Sequence, residues 1–226
     1  MNNRAALREP SDRKRTRAIS RDRKPFRAFS RSVAEHVLFL GEYIRNPAAV
    51  GAFAPSSPKL ARAMIEGCDL QNAETVVELG PGTGAFTGPI LDRIGPKTTF
   101  FALELSSDYV RRLRTRFPDL VLYNDSAEHI AAYLGRHGRR SVDYIISGLP
   151  WASIRQEVQD RILHQLFRVL KPGGVFTTFG YLHTRPAPNA IHFGRLTRNH
   201  FASVKVTSLV WLNVPPALVY RCTKAA

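Results

Sequence analysis

The sequence predicts an α/β protein with a mostly parallel sheet, helices on both of its faces and an antiparallel hairpin near the C-terminus. Five short apolar segments alternate with helical segments between residues 75 and 180, and strands separated by helices favour parallel pairing. The last two apolar segments, 201–213 and 217–222, have only Val214-Pro215-Pro216 between them, so we expect them to pair antiparallel at one sheet edge. Together these segments give seven strands.

The individual elements are bounded by residues that typically begin or end them. Serine before an apolar periodic segment is a common helix N-cap, and glycine after one is a common end signal. In chain order we predict a helix over 57–67 capped by Ser56 or Ser57, strands near 75–79 and 98–104, a helix over 107–117, a strand over 121–126, a helix over 126–134, a strand over 142–147, a helix over 155–170 closed by Lys171-Pro172-Gly173-Gly174, and a strand over 175–180.

The N-terminal region differs from the rest in charge. The net charge is +15, and residues 1–32 hold eleven Lys or Arg against three acids, so over half of the excess lies there. We assign residues 1–24 to a basic arm that is disordered by itself, because it has few apolar side chains to bury. Apolar residues spaced by three and four over 26–44 then predict an amphipathic helix at 25–45, ahead of a domain at 46–226.

Two interpretations of this N-terminal helix stay open on pattern alone. An apolar stripe beside cationic residues suits an anionic membrane interface, and it equally suits packing against the domain. A basic arm also binds nucleic acid, so charge does not select the partner.

Composition limits where the protein acts. At 226 residues and 44% apolar content, the chain can bury one substantial core. Its two cysteines, Cys68 and Cys222, have no C-x-x-C spacing, which favours a reduced compartment. No apolar run approaches the roughly 18 residues of a membrane span, and the arginine-rich start lacks the apolar segment of a signal peptide. We therefore expect a cytoplasmic protein.

The strongest functional signal is the turn at residues 76–84. An apolar strand ends in Glu78, and Gly80, Gly82 and Gly84 then allow a sharp turn. The G-x-G-x-G spacing lacks the register of a dinucleotide site, so NAD is not expected. A carboxylate here would repel phosphates and accept hydrogen bonds from an ammonium group. This favours S-adenosylmethionine, which has a cationic amino-acid tail and no phosphate; a glycine turn that binds nothing is the alternative.

Two further acids follow the next two strands. Glu104 closes the second strand, where a ribose diol is gripped in nucleotide-binding sheets. Asp125 follows the third strand and could accept a hydrogen bond from an adenine amino group. A solvated loop carboxylate would explain either acid alone, whereas three acids at three successive strand ends favour a cofactor site.

These motifs together resemble a class I S-adenosylmethionine-dependent methyltransferase. The motifs are the turn at 78–84, Glu104, Asp125, Ser147-Gly148-Leu149-Pro150-Trp151 and Leu170-Lys171-Pro172-Gly173-Gly174. The resemblance implies a Rossmann-like seven-stranded sheet, S-adenosylmethionine as cofactor and S-adenosylhomocysteine as product. The implied cofactor contacts are Glu78, Gly80, Gly82, Thr83, Gly84, Glu104, Leu105, Asp125, Ser126, Ser147, Gly148 and Leu149.

The segment after the fourth strand bears on the methyl acceptor. Methyltransferases that act on nucleobase amines read N-P-P-Y or N-L-P-Y here, and this chain has Gly148 where that Asn or Asp side chain would be. The missing acceptor counts against an adenine dimethyltransferase and favours an aliphatic amine. Such an amine gains positive charge as methyls accumulate, and the aromatic faces of Trp151, Tyr181 and Tyr220 could stabilise it. Trp151 as an ordinary core aromatic is the alternative.

More closely, the chain resembles the bacterial phospholipid N-methyltransferases, which convert phosphatidylethanolamine to phosphatidylcholine through mono- and dimethyl intermediates. The matching residues are Ile44-Arg45-Asn46-Pro47, Val50-Gly51-Ala52-Phe53-Ala54-Pro55-Ser56-Ser57, the turn at 78–87, Ser147-Gly148-Leu149-Pro150-Trp151, Asn213-Val214-Pro215-Pro216-Ala217 and Val219-Tyr220-Arg221. The family's membrane-seeking helix corresponds to residues 26–44. The resemblance therefore implies an enzyme at the inner face of the cell membrane.

We expect a direct displacement in which the lipid amine attacks the cofactor methyl group. The candidate residues for proton removal are Tyr181, His183 and Tyr43, and the candidate substrate contacts are Ser56, Ser57, Pro150, Trp151, Tyr220 and Arg221. The expected partners are a phospholipid and an anionic membrane surface, with no nucleic acid and no metal, and we expect a monomer. The rivals are a ribosomal RNA adenine N6-dimethyltransferase and a binding protein without activity.

Overall fold

The computed structural model describes residues 56–207 and 209–226. The basic arm at 1–24, the helix predicted at 25–45 and the candidate residue Tyr43 lie outside the described residues. No helix in the described part of the chain is long and apolar enough to cross a bilayer.

The described residues form seven strands and six α-helices, with short 3-10 turns between some of them. In chain order the elements are α1 (Pro58–Ile65), β1 (Thr75–Leu79), α2 (Thr87–Leu91), β2 (Thr99–Glu104), α3 (Ser107–Arg116), β3 (Leu122–Asn124), α4 (Ile130–Arg136), β4 (Val142–Ser147), α5 (Gln156–Val169), β5 (Leu170–Tyr181), α6 (Pro188–His200), β6 (Ser203–Val206) and β7 (Ala217–Thr223).

The strands form one sheet in the order β3-β2-β1-β4-β5-β7-β6. The first five strands run parallel, and β7 runs antiparallel to both β5 and β6. Leu79 at the end of β1 lies opposite Leu103 on β2 and Ser147 on β4. The carboxyl ends of the parallel strands therefore lie side by side at one end of the sheet. The predicted fold class is confirmed.

Helices cover both faces of this sheet. Residues of α4, α5 and α6 pack on the face that carries Val77 and Phe101, whereas α1 and α2 pack on the face that carries Val76. A smaller cluster holds α3 against β2 through Val110 and Leu113. This arrangement follows from β1, whose five residues are all buried and supply side chains to both faces alternately.

The structure corrects two predicted boundaries and adds a helix that the sequence analysis missed. The segment Lys171-Pro172-Gly173-Gly174 belongs to β5 and does not merely close α5, because the Gly173 N–H bonds to the carbonyls of Lys224 and Ala225. The hairpin strand predicted over 201–213 is shorter in the structure, where it runs over Ser203–Val206. The helix α6 was not predicted at all, although Pro188 occupies its first turn, where proline is favoured.

Candidate active site

The glycine turn after β1 has a left-handed backbone conformation at each of its three glycines. Gly80, Gly82 and Gly84 have φ values of +64°, +55° and +79°, a region that other residues rarely adopt. Space is also limiting, since a Cβ on Gly84 would lie 2.6 Å from the ring of Phe117. Thr83 is held through its carbonyl, which accepts a hydrogen bond of 2.8 Å from Arg116. Contacts within the chain itself therefore set the shape of the turn.

Gly148, after β4, packs directly against this turn. A Cβ on Gly148 would lie 2.4 Å from the carbonyl oxygen of Gly80, so no side chain fits there. The neighbouring Leu149 has its side chain 2.8 Å from where a Gly80 Cβ would be. Close packing against Gly80 is therefore enough to explain glycine at position 148. Gly148 is weaker evidence for an aliphatic amine as methyl acceptor than the sequence alone suggested.

Glu78 places a carboxylate with spare hydrogen-bonding capacity beneath the turn. The residue is fully buried, and its Oε2 accepts a hydrogen bond of 2.8 Å from the Thr87 hydroxyl. Its Oε1 has no partner among the described residues. Burial raises the pKa of Glu78 to about 8, the Thr87 hydrogen bond opposes this, and the charge of Glu104 adds to it. A buried acceptor without a donor fits the ammonium group of S-adenosylmethionine.

Glu104 is brought against the turn from the end of β2. Its Oε2 accepts from the Gly82 N–H at 3.0 Å and its Oε1 accepts from the Ser106 N–H at 2.8 Å. Burial raises the pKa of Glu104, and these backbone hydrogen bonds counteract part of that rise. Each carboxylate oxygen keeps a second lone pair, so the group can still accept from ribose hydroxyls.

Asp125 lies just beyond β3 and is the most strongly hydrogen-bonded of the three acids. It accepts from the Ser126 N–H at 2.7 Å and from the Tyr133 hydroxyl at 2.8 Å, and His129 Nδ1 lies 2.8 Å away. Partial burial acts to raise the pKa of Asp125, but these hydrogen bonds outweigh it and lower the pKa. The carboxylate is therefore ionised near neutral pH and remains partly exposed as an acceptor.

The adjoining loop residue Leu105 is positioned by its neighbour strand. The Asn124 side chain donates to the carbonyls of Glu104 and Leu105, both at 2.9 Å. This pair of bonds fixes the backbone that leaves β2. The predicted cofactor contacts from β1, β2, β3 and β4 all lie at the carboxyl ends of the parallel strands.

A cleft of about 50 Å³ opens beside the glycine turn, at the ends of β4 and β5. Its lining is mostly apolar and aromatic, with one cationic side chain. The residues that matter below are Leu149, Pro150, Phe179, Tyr181, Arg185 and Tyr220. Because Leu149 borders both the turn and the cleft, a ligand in the cleft would lie next to a ligand on the turn.

Trp151 contributes to the wall of the cleft but is mainly a core residue. It is 3% exposed, its indole N–H donates to the Thr178 hydroxyl at 2.9 Å, and its ring stacks on Phe193 with centroids 4.5 Å apart. The alternative interpretation of Trp151 as a core aromatic accounts for these contacts. The half-buried rings of Tyr181 and Tyr220 are better placed to meet a substrate.

The two described candidates for proton removal differ in exposure. Burial raises the pKa of Tyr181, so its hydroxyl stays protonated near neutral pH and is a poor base. His183 is exposed in the short 3-10 turn after β5, and its ring stacks on Tyr181 with centroids 5.8 Å apart. His183 is not among the residues that line the cleft, and it adjoins the cleft only through this stacking on Tyr181.

The structure does not bring Arg221 to the cleft. Arg221 lies in the middle of β7, opposite Thr177, and its guanidinium donates to the carbonyl of Ala63 in α1 at 3.3 Å. The cation at the cleft is Arg185, which the sequence analysis missed. Its signal in the sequence is weak, a single arginine two residues after His183.

The two serines before α1 lie away from the aromatic cleft. The Ser57 hydroxyl caps α1 by accepting from the Leu60 N–H at 3.2 Å, and the Ser57 N–H donates to the Asn213 side chain at 2.9 Å. Ser56 lines a second, more open cleft with Thr83 and Arg116, on the α1 side of the glycine turn. Neither serine lines the aromatic cleft.

Comparisons with known proteins identify the family to which the chain belongs. Residues 76–174 match the model of a methyltransferase domain family. An ornithine lipid N-methyltransferase from Singulisphaera acidiphila is 33% identical over 188 residues, which is 82% of this chain and 94% of the relative. The chain therefore belongs to the class I S-adenosylmethionine-dependent methyltransferases, in the family that includes this lipid N-methyltransferase.

More distant relatives share less of the chain or only the fold. A ribosomal RNA small subunit methyltransferase A from Paraburkholderia xenovorans is 34% identical over 84 residues, which is 36% of this chain and 30% of the relative. The crystal structure of an O-methyltransferase from Bacillus cereus in complex with S-adenosylhomocysteine superimposes with a TM-score of 0.56 at 15% identity, covering 84% of this chain and 90% of that one. The cofactor of the present protein is S-adenosylmethionine.

Proposed function

We propose that the protein transfers methyl groups to the amine of a membrane lipid, with phosphatidylethanolamine and its mono- and dimethyl forms as substrates and phosphatidylcholine as the end product. The observation that carries the proposal is the cleft beside the glycine turn, which combines apolar walls, two tyrosine rings and one arginine. A zwitterionic lipid head group has matching features, an amine at one end and an anion a few bonds away.

Different residues of this chain bind the two ligands, the cofactor and the lipid. When bound, S-adenosylmethionine would supply a methyl group on a sulfonium sulfur. A neutral amine can attack this methyl group directly, so that a C–N bond forms as the C–S bond breaks and S-adenosylhomocysteine leaves. The unpartnered oxygen of Glu78 accepts from the cofactor ammonium group, and Glu104 accepts from its ribose hydroxyls. Holding both reactants in one geometry and excluding water supply much of the rate enhancement.

At the acceptor end, Tyr181 and Tyr220 face an amine whose charge grows with each methyl group. Cation–π contacts of this kind are worth about 0.5–2 kcal/mol each. Arg185 donates to the phosphate of the head group, or to a carboxylate in a lipid of the ornithine type. His183 takes up the proton that the amine loses and releases it to water.

The setting we propose is the cytoplasmic face of the cell membrane, with the protein acting as a monomer. The net charge of +15 supports attraction to an anionic lipid surface, and most of this excess lies in residues 1–32. The similarity to a lipid N-methyltransferase over 82% of this chain supports a lipid substrate. The alternative is RNA methylation, which is favoured by the ribosomal RNA methyltransferase relatives but over little more than a third of the chain.

A single labelling experiment separates these functions. Labelled S-adenosylmethionine is supplied with liposomes of phosphatidylethanolamine and an anionic lipid, with liposomes that contain an ornithine lipid, or with ribosomal RNA. We expect label in phosphatidylethanolamine. Label in the ornithine lipid alone would move the substrate to that class, and label in RNA alone would reject the lipid proposal.

Arg185→Gln tests the assignment of the head-group anion. Hydrogen bonds to charged groups contribute about 1.5–3 kcal/mol, so we expect KM for the lipid to rise about tenfold or more while the Kd for S-adenosylmethionine is unchanged. The matched control is Arg195→Gln, an exposed arginine on α6 outside the cleft. Equal effects of the two variants on KM would show that Arg185 acts only through surface charge.

A further inference from the structure

The loop between β6 and β7, here called the hairpin loop (residues 209–216), exposes apolar side chains and buries a polar one. Trp211, Leu212 and Val214 are 70%, 64% and 67% exposed, whereas Asn213 between them is 2% exposed. This is the reverse of the usual distribution in a loop that meets water. Large exposed apolar groups that lie together mark a surface for a lipid or protein partner.

Specific hydrogen bonds hold the hairpin loop in this arrangement. The Asn213 Oδ1 accepts from the Ser57 N–H at 2.9 Å, and its Nδ2 donates to the Pro215 carbonyl at 2.7 Å. At the base of the loop, the Val210 N–H donates to the Ala217 carbonyl at 2.8 Å. Because the Asn213 amide is fixed inward on both sides, the side chains that flank it are directed to solvent.

The hairpin loop lies at the same end of the sheet as the proposed lipid cleft. The Pro216 carbonyl accepts from the Leu182 N–H at 2.9 Å, and Ala217 pairs with Tyr181, which lines the cleft. Leu182 is itself 39% exposed. An apolar rim therefore stands beside the opening through which a lipid head group would enter.

We propose that Trp211, Leu212 and Val214 insert into the lipid bilayer and place the cleft over the membrane surface, independently of the helix predicted from the sequence at 25–45. This inference rests on the proposed lipid-methylating function. Tryptophan is favoured at membrane–water interfaces because its ring is apolar and its N–H is polar, and leucine and valine gain from burial among acyl chains. An anionic bilayer is the partner, since it complements the chain's charge of +15.

The intrinsic fluorescence of the chain provides a direct test. The sequence has two tryptophans, of which Trp151 is 3% exposed and Trp211 is 70% exposed. The full-length protein is mixed with vesicles of phosphatidylethanolamine and phosphatidylglycerol that carry bromine on their acyl chains. We expect the emission to shift to the blue and to be quenched, and we expect Trp211→Phe to lose both changes. Emission that stays unquenched while the protein is bound would overturn the proposal.

The binding of protein variants to lipid vesicles provides a second and independent test. The double variant Leu212→Ser, Val214→Ser should bind these vesicles about tenfold or more weakly, because fully burying one such side chain already changes an equilibrium by about that factor. Val121→Ser is the matched control, since Val121 is 41% exposed but precedes β3 at the opposite sheet edge. Activity on a soluble short-chain phosphatidylethanolamine should be unchanged in both. Equal vesicle binding by the double variant and the control would overturn the insertion.

The outcomes also separate this inference from the proposed function. Quenching of Trp211 without methylation of any lipid would support insertion and reject the lipid substrate. Lipid methylation without quenching would support the substrate and reject insertion. If sedimentation shows that the double variant has lost self-association and its vesicle binding is intact, the apolar rim is a contact between two copies of the chain and the proposal is wrong.

Discussion

Replacing Glu78 by glutamine should stabilise the cofactor-free protein and weaken its binding of S-adenosylmethionine. The carboxyl is fully buried, receives one hydrogen bond from Thr87 and leaves its second oxygen unpaired. Burial raises its pKa from 4.5 to about 8. Glutamine has nearly the same shape and can still accept from Thr87, but it carries no charge to be desolvated.

The size of the effect follows from the pKa and depends on pH. Below pH 4.5 the carboxyl of Glu78 is protonated in both the folded and the unfolded chain, so its contribution to stability is fully present. As the pH rises towards 8, the unfolded chain ionises first, and the free energy of unfolding falls by about 1.4 kcal/mol per pH unit. The loss reaches about 3 kcal/mol near pH 7 and about 5 kcal/mol above the folded pKa. The Glu78→Gln variant should not show this fall in the free energy of unfolding, because glutamine does not ionise.

Urea unfolding followed by circular dichroism, at several pH values and without cofactor, measures this difference. The advantage of Glu78→Gln over the unmodified protein should grow from near zero at pH 4.5 to several kcal/mol at pH 8. Calorimetric titration should show S-adenosylmethionine binding at least tenfold weaker in Glu78→Gln, because a charge-assisted hydrogen bond is lost. A stability difference that does not change with pH would refute the reasoning.

Three further changes test the packing around the site. Gly148→Ala should lower stability by about 1–3 kcal/mol and weaken cofactor binding, because the new Cβ would lie 2.4 Å from the Gly80 carbonyl oxygen; thermal unfolding and calorimetry would show it, and unchanged values would contradict the close packing. Trp151→Phe leaves the Thr178 hydroxyl without its indole donor and should cost about 1–3 kcal/mol in urea unfolding, whereas a loss of lipid binding at full stability would return Trp151 to the substrate site. Burial raises the pKa of the Cys222 thiol to about 12, so thiol reagents should label it, as read by peptide mass spectrometry, only after unfolding; rapid labelling of the native protein would contradict its burial.

Much of the fold was predictable because its signals are local. The strand Val142–Ser147 was predicted with the bounds that the structure has, since a short apolar run there is flanked by polar residues. The helix α6 was missed because its only buried residues are Phe193 and Thr197, which makes a weak apolar stripe among His, Asn and Arg. A helix that is held mainly by one aromatic side chain gives little periodic signal.

The site residues show the same difference between local signals, which were predictable, and long-range packing, which was not. The glycine turn was predictable, because its positive φ angles and close contacts demand glycine in the sequence itself. The role of Arg221 depends on strand register, since alternation along β7 sends Tyr220 to one face of the sheet and Arg221 to the other. The burial of Trp151 depends on Phe193, which lies in the helix that the sequence analysis missed.

The strand order has a consequence for how the chain is made. Strand β7 leaves the ribosome after β6 but enters the sheet between β5 and β6. Until it emerges, the edge of β5 has no neighbour on that side, and β6 has nothing to pair with. An unpaired strand edge is an attachment point for other chains. We therefore expect nascent chains in which β7 has not yet emerged to expose that edge to other chains, and the pairing of β7 to cover it.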